Sequence, residues 1–165
     1  MSSISISILE ELFISKKETS LYGRCIRLQD IQPLIEQLDV SFKTQQIGIS
    51  EENRPIYNIQ IGAGKKRILV WSQMHGNEST GTKALFDVLN VLKESKNELV
   101  KTILQECTLL FVPMLNPDGA EVYTRINANN VDLNRDAVER TARESKLLRN
   151  VLEEFNPQFC FNLHD

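Results

Sequence analysis

The stretch Arg67-Ile68-Leu69-Val70-Trp71-Ser72-Gln73-Met74-His75-Gly76-Asn77-Glu78-Ser79 decides how the rest of the chain is read. Its opening residues are almost continuously apolar, as in a strand covered on both faces, so residues 67–72 are a candidate central strand. From Ser79 to Lys93 the spacing of Ala84, Leu85, Val88, Leu89 and Leu92 predicts a helix with one apolar face. A second strand is expected over Thr108–Pro113, a second helix over about Thr141–Phe155, and a last strand over Gln158–Leu163 after Asn156-Pro157. This strand, helix, strand alternation predicts an α/β fold with a central sheet flanked by helices.

Before the central strand, Ser41–Ile49 and Ile56–Ile61 read as a hairpin around the polar, proline-containing turn at 51–55. Residues 1–40 are expected to form a helical segment packed on the domain formed by 41–165. Within that segment Ile31, Leu34, Ile35 and Leu38 recur at helical spacing behind Asp30 as a cap, with Pro33 placed in the first turn. The Ser/Ile alternation at residues 2–7 reads as a frayed end. Residues 114–138 show no clear period.

The chain has 165 residues, 41% hydrophobic and 25% charged, which is enough for one domain with a real core. Its net charge of -3 offers no positive field for a phosphate backbone or an anionic membrane, so neither nucleic acid nor a membrane is an expected partner. No apolar run approaches the roughly 20 residues needed to cross a bilayer. The start lacks a basic n-region and cleavage site, so a cytoplasmic location is expected. Cys25, Cys107 and Cys160 are widely spaced with no CxxC pair and are read as ordinary thiols.

Chemistry gathers where strands end. His75 and Glu78 follow the candidate central strand, and His164, the other of two histidines, directly follows the last one. In open α/β sheets ligands bind beyond the carboxyl ends of strands. If the two strands are parallel and near each other, His75, Glu78 and His164 make the two-histidine, one-glutamate set of a catalytic zinc ion, with ligand bonds of about 2.0–2.2 Å and a fourth position open. HxxE alone is a weak signal. Gly62 and Gly64 in IGAGKK are reminiscent of a phosphate-binding loop, but the third glycine is missing and a strand-end turn is the better reading.

HGNE at 75–78, NPDG at 116–119, YTR at 123–125, DLNR at 132–135 and NLHD at 162–165 occur in the order found in zinc metallocarboxypeptidases. Over roughly residues 50–165 the chain resembles that family, the relatives of the pancreatic digestive carboxypeptidases. The resemblance implies a mixed, mostly parallel sheet, Zn2+ as cofactor, and His75, Glu78 and His164 as its ligands. Arg125 would stabilise the oxyanion, Asn134 and Arg135 would hold the free carboxylate of a peptide or amide substrate, and Asp132 would orient a ligating histidine. NPDG receives no role beyond shaping its loop.

The resemblance also implies further strands, a specificity pocket, a substrate-contacting tyrosine and a glutamate general base beyond Asp165. On this reading the chain is a truncated catalytic domain. Losing a positioned general base costs about 10²–10⁴-fold in rate, so zinc binding with little turnover is expected of these residues alone. An uncovered apolar sheet edge would favour self-association. Two other readings stay open: a related zinc amidohydrolase acting on N-acyl amino acids or cell-wall peptides, and a non-catalytic binding module without zinc.

Overall fold

A computed structural model of the protein describes residues 5–94 and 96–165. The chain begins with helices α1 (Ile6–Lys16) and α2 (Leu28–Glu36) and continues through strands β1 (Lys43–Ile49), β2 (Pro55–Ile61) and β3 (Lys66–Ser72). Helices α3 (Thr80–Leu92) and α4 (Glu98–Glu106) lead to β4 (Cys107–Val112). Then come the single-turn α5 (Pro117–Glu121), the long α6 (Arg143–Phe155) and β5 (Phe159–Leu163). Of the Ser/Ile alternation, residues 2–4 lie outside the described residues, while the Ser5 side chain caps α1. None of the described helices is long and apolar enough to cross a membrane.

The five strands form one mixed sheet in the order β1-β2-β4-β3-β5. The β1–β2 hairpin is antiparallel and β2 runs antiparallel to β4, whereas β3 is parallel to both β4 and β5. The middle position belongs to β4 rather than β3. Side-chain alternation along β4 divides the core in two, because successive residues of a strand point to opposite faces. Leu109 and Phe111 pack with Leu85, Phe86 and Leu89 of α3 and with Ile31 and Ile35 of α2. Leu110 and Val112 pack on the other face with Leu148 and Val151 of α6. Helices therefore cover both faces, and the apolar run of β3 is what such coverage requires.

Several local expectations shift. The inward face of α3 is Thr82, Leu85, Phe86, Leu89 and Leu92; Ala84 and Val88 are exposed, because each lies one residue, about 100°, round the helix from Leu85 and Leu89. Asp30 does not precede α2 but occupies its third position, where its carboxylate accepts from the Arg27 N–H at 2.7 Å and satisfies a free helix-start donor. Pro33 accordingly sits inside α2, beyond the first turn. Helices α4 and α5 have no counterpart among the elements expected from sequence. The N–H groups of Ala63 and Gly64 donate to Leu104 and Cys107 carbonyls, so the IGAGKK turn is committed to holding α4 against the sheet.

Candidate metal centre

Register brings the two histidines together. In the parallel β3–β5 pair Ser72 lies opposite Leu163, so the chain leaves both strands at one end of the sheet; His164 follows immediately and His75 three residues on. The imidazole centroids are 4.9 Å apart. Between β3 and α3 the backbone turns through Gln73, which adopts a left-handed φ of 48°. A non-glycine residue there costs of order 1 kcal/mol and needs support. Support comes from the fully buried Gln73 amide, which donates to the Ile26 and Gly76 carbonyls and accepts from the Thr82 hydroxyl at 2.7 Å. No reading of the sequence singled out Gln73; its weight comes from partners 47 residues away or hidden in α3.

His75 is buried, and its two nitrogens face two carboxylates. Nδ1 is 2.9 Å from Glu78 Oε1, and Nε2 is 3.0 Å from Asp132 Oδ1. Glu78 Oε2 is 2.7 Å from His164 Nδ1. Ligand atoms of His75, Glu78 and His164 all lie within 4.8 Å of one another, a group among the described residues that could hold a metal ion.

Burial opposes the charge on Asp132, but hydrogen bonds with His75, from the Arg125 guanidinium and from the Asn134 N–H outweigh it and hold the carboxyl at about 2. Asp132 is then an acceptor only, so its hydrogen bond with His75 is donated by Nε2. Nδ1 of His75 and Nδ1 of His164 face the two oxygens of Glu78. Burial likewise opposes the charge on Glu78, yet the two histidines keep its carboxyl below the ordinary value. Two imidazole nitrogens and a carboxylate converging in this way suit a shared cation, and a carboxylate on the far nitrogen of a ligating histidine is the usual support for zinc.

Arg125 binds both carboxylates: Nε donates to Asp132 Oδ2 at 3.0 Å and Nη1 to Glu78 Oε1 at 3.2 Å. The guanidinium is half exposed, and its Nη2 makes no hydrogen bond among the described residues. Asp132 turns the DLNR segment by accepting the Asn134 N–H at 3.0 Å, while its carbonyl accepts the Arg135 N–H. Arg135 is exposed, and its guanidinium forms no ion pair among the described residues. YTR and DLNR lie in the connection between α5 and α6 rather than at a strand end. Asp165 Oδ1 accepts the Thr80 N–H at 3.0 Å and so occupies the start of α3.

NPDG does more than turn the chain. The Asn116 side chain caps α5 through the Gly119 N–H, and its backbone N–H donates to Gln73. Asp118 is buried and accepts from the Ser50 hydroxyl, the Glu52 N–H and the Arg54 guanidinium at 2.7, 2.9 and 2.6 Å. This ties the hairpin turn to the loop against which Gly76 rests. Sequence alone could not pair Arg54 with Asp118.

The zinc carboxypeptidase family model matches residues 29–158. Among curated proteins, carboxypeptidase 2 of Trichophyton tonsurans is 27% identical over 126 residues, spanning 70% of this chain and 23% of its own length. The chain therefore covers about a quarter of that relative. Among solved structures, a metallo-carboxypeptidase from Pseudomonas aeruginosa superposes with a TM-score of 0.78 at 20% identity, over 83% of this chain and 39% of that one. The murein-tripeptide amidase MpaA of Escherichia coli O157 shares the fold at a TM-score of 0.56 and 21% identity, over 74% of this chain and 61% of that one. The mixed sheet, its flanking helices and the match over most of the chain agree: the chain belongs to the zinc carboxypeptidase family.

Proposed function

We propose that the protein acts in zinc-dependent hydrolysis of the C-terminal peptide bond of a substrate with a free carboxylate. The carrying observation is the convergence of His75, Glu78 and His164 from the ends of two adjacent parallel strands, with Asp132 on the far nitrogen of His75. Bound by those three residues, zinc would supply Lewis-acid polarisation of a carbonyl and acidification of water. The remaining work falls to this chain's own groups. Asp132 keeps the proton on Nε2 of His75 and so leaves Nδ1 free to ligate. Arg125, anchored through Nε and Nη1, has Nη2 free to donate to an oxygen that gains negative charge. Asn134 and Arg135 bind the terminal carboxylate, for which an exposed, unpaired guanidinium fork is suited.

A second reading, hydrolysis of an amide in an N-acyl amino acid or cell-wall peptide, uses the same groups, and the fold shared with the murein-tripeptide amidase keeps it in play. The test begins with zinc content by elemental analysis of wild type, His75→Ala and His164→Ala. Near one zinc per chain, lost in both variants, supports the ligand set. Wild type without zinc after incubation with excess metal sinks it. Profiling hydrolysis of peptides against N-acyl amino acids by the whole protein then separates the two substrate classes.

A further inference from the structure

Glu144 is fully buried, and the proposed reaction does not use it. It stands in the first turn of α6, with Oε1 accepting the Glu51 N–H at 3.2 Å and Oε2 accepting the Asn127 side-chain N–H at 3.1 Å. Burial pushes its carboxyl upward, against the pull of these hydrogen bonds. A polar group with no solvent contact is costly to keep unless its hydrogen bonds are made, so what it holds matters.

Asn127 is itself buried and uses both ends of its amide. Its Oδ1 accepts the N–H groups of Asn129 and Val131 at 3.0 and 2.9 Å, and its backbone N–H and carbonyl bond Val131 and Asn130. Residues 127–131 thus form a closed turn. Arg125 stands two residues before it and Asp132 immediately after. The Asn127–Glu144 bond spans 17 residues and closes the base of the loop that presents Asp132, Asn134 and Arg135. At the far side of that loop, Asp136 accepts the N–H groups of Thr141 and Ala142, each at 2.9 Å, and locks the return into α6.

We infer that the Asn127–Glu144 contact is a positioning staple: through Asn127, Glu144 sets where Asp132 meets His75 and where Asn134 and Arg135 are held. The inference rests on the reading of His75 as a metal ligand, since its consequence for zinc passes through that imidazole. Neither staple residue touches the metal group, so both are positioning residues. Supporting groups around metal ligands typically contribute 10–100-fold to affinity; a residue one step further out is expected near the lower end, about tenfold.

The test uses a reciprocal exchange of donor and acceptor. Glu144→Gln sets an amide against an amide and leaves one of the donors at Glu51 and Asn127 without an acceptor. Adding Asn127→Asp reverses the bond, so that the amide now on α6 donates to the carboxylate now in the turn, and satisfies every group again. Zinc affinity is measured by chelator competition at pH 8, at a temperature well below the unfolding midpoint, beside the 15N shift of His75 Nε2 in the zinc-free protein. Expected are about tenfold weaker zinc binding and a moved His75 signal in Glu144→Gln and Glu144→Ala, with both effects of Glu144→Gln reversed in the double variant. Wild-type affinity and an unmoved signal in the single variants, or no restoration in the double, overturns the inference. If Glu144→Ala does not fold, the exchange pair carries the test. If wild type binds no zinc, the ligand reading fails while the His75 signal still decides the staple.

Discussion

Gly76 lies between His75, a proposed zinc ligand, and the turn to Glu78, and its substitution by alanine gives a sharp test of how the site is held. A Cβ built there would sit 1.9 Å from the Gly119 carbonyl carbon and 2.1 Å from the Ala120 nitrogen. Ordinary contact begins near 3.4 Å, so the two backbones must part by about 1.5 Å. Neither side yields readily. The Gly76 carbonyl accepts from Gln73 at 2.9 Å and the Asn77 N–H donates to Thr124 at 3.1 Å, while Gly119 is fixed by Asn116 and by the Thr124 N–H, each at 2.8 Å.

Overpacking against backbone costs about 3 kcal/mol at its upper end, equal to a fall of about 6–12 °C in the unfolding midpoint of a chain this size. A displacement of about 1 Å in a site can cost about 100-fold in function, so zinc affinity in Gly76→Ala should fall by about that factor. Chelator competition and thermal unfolding read the two effects. Gly23→Ala is the control: its φ of 82° is strained for alanine, but nothing lies within 4 Å. It should cost about 1 kcal/mol and leave zinc binding unchanged. Zinc affinity in Gly76→Ala within about threefold of wild type would refute the claim that this backbone contact places His75.

Arg54→Ala leaves the buried Asp118 with two of its three partners and should destabilise by about 2–3 kcal/mol, read as a denaturant midpoint; a change under about 0.5 kcal/mol would show the pair to be incidental. Asp136 is opposed by burial but held at about 2 rather than 3.8 by the Thr141 and Ala142 N–H groups at the start of α6. Its folded value is depressed, so its roughly 2 kcal/mol is present above about pH 4 and lost as pH falls toward about 2. The stability gap between wild type and Asp136→Asn should therefore close over that window, and a constant gap from about pH 7 to about pH 2.5 would contradict it. Strand β5 pairs with β3 alone among the described residues, and Phe159 and Phe161 on it are more than half exposed. Light scattering at rising concentration should show self-association that a charged Phe161→Lys edge suppresses; a clean monomer at high concentration would count against it.

Much of the fold was legible because burial imposes a pattern on neighbouring residues. The apolar run at 68–71, the helical spacing of Leu85, Leu89 and Leu92 and the Asn156-Pro157 stop each act within a few residues, and all three correspond to observed elements. Helix α4 went unread although Leu99, Val100, Ile103 and Leu104 recur at helical spacing in Glu98–Glu106; it is short and buries Val100 alone, so its place depends on the strand-end turn it covers. Ala84 and Val88 count as apolar in α3, yet only the packed helix shows that its face turns away from them.

For the site, the sequence by itself determined the chemistry on offer: one HxxE pair, one further histidine, and YTR and DLNR in order between them. These are residue identities and spacings, which the chain carries whether folded or not. Tertiary structure decided everything that depends on distance. Parallel pairing of β3 with β5 set His75 beside His164, Asp132 took the far nitrogen of His75 across 57 residues, and Arg54 found Asp118 across 64. Local sequence cannot encode such contacts one residue at a time. They exist because register and helix packing bring distant backbones to the same place, and because a buried polar group must find its partner there.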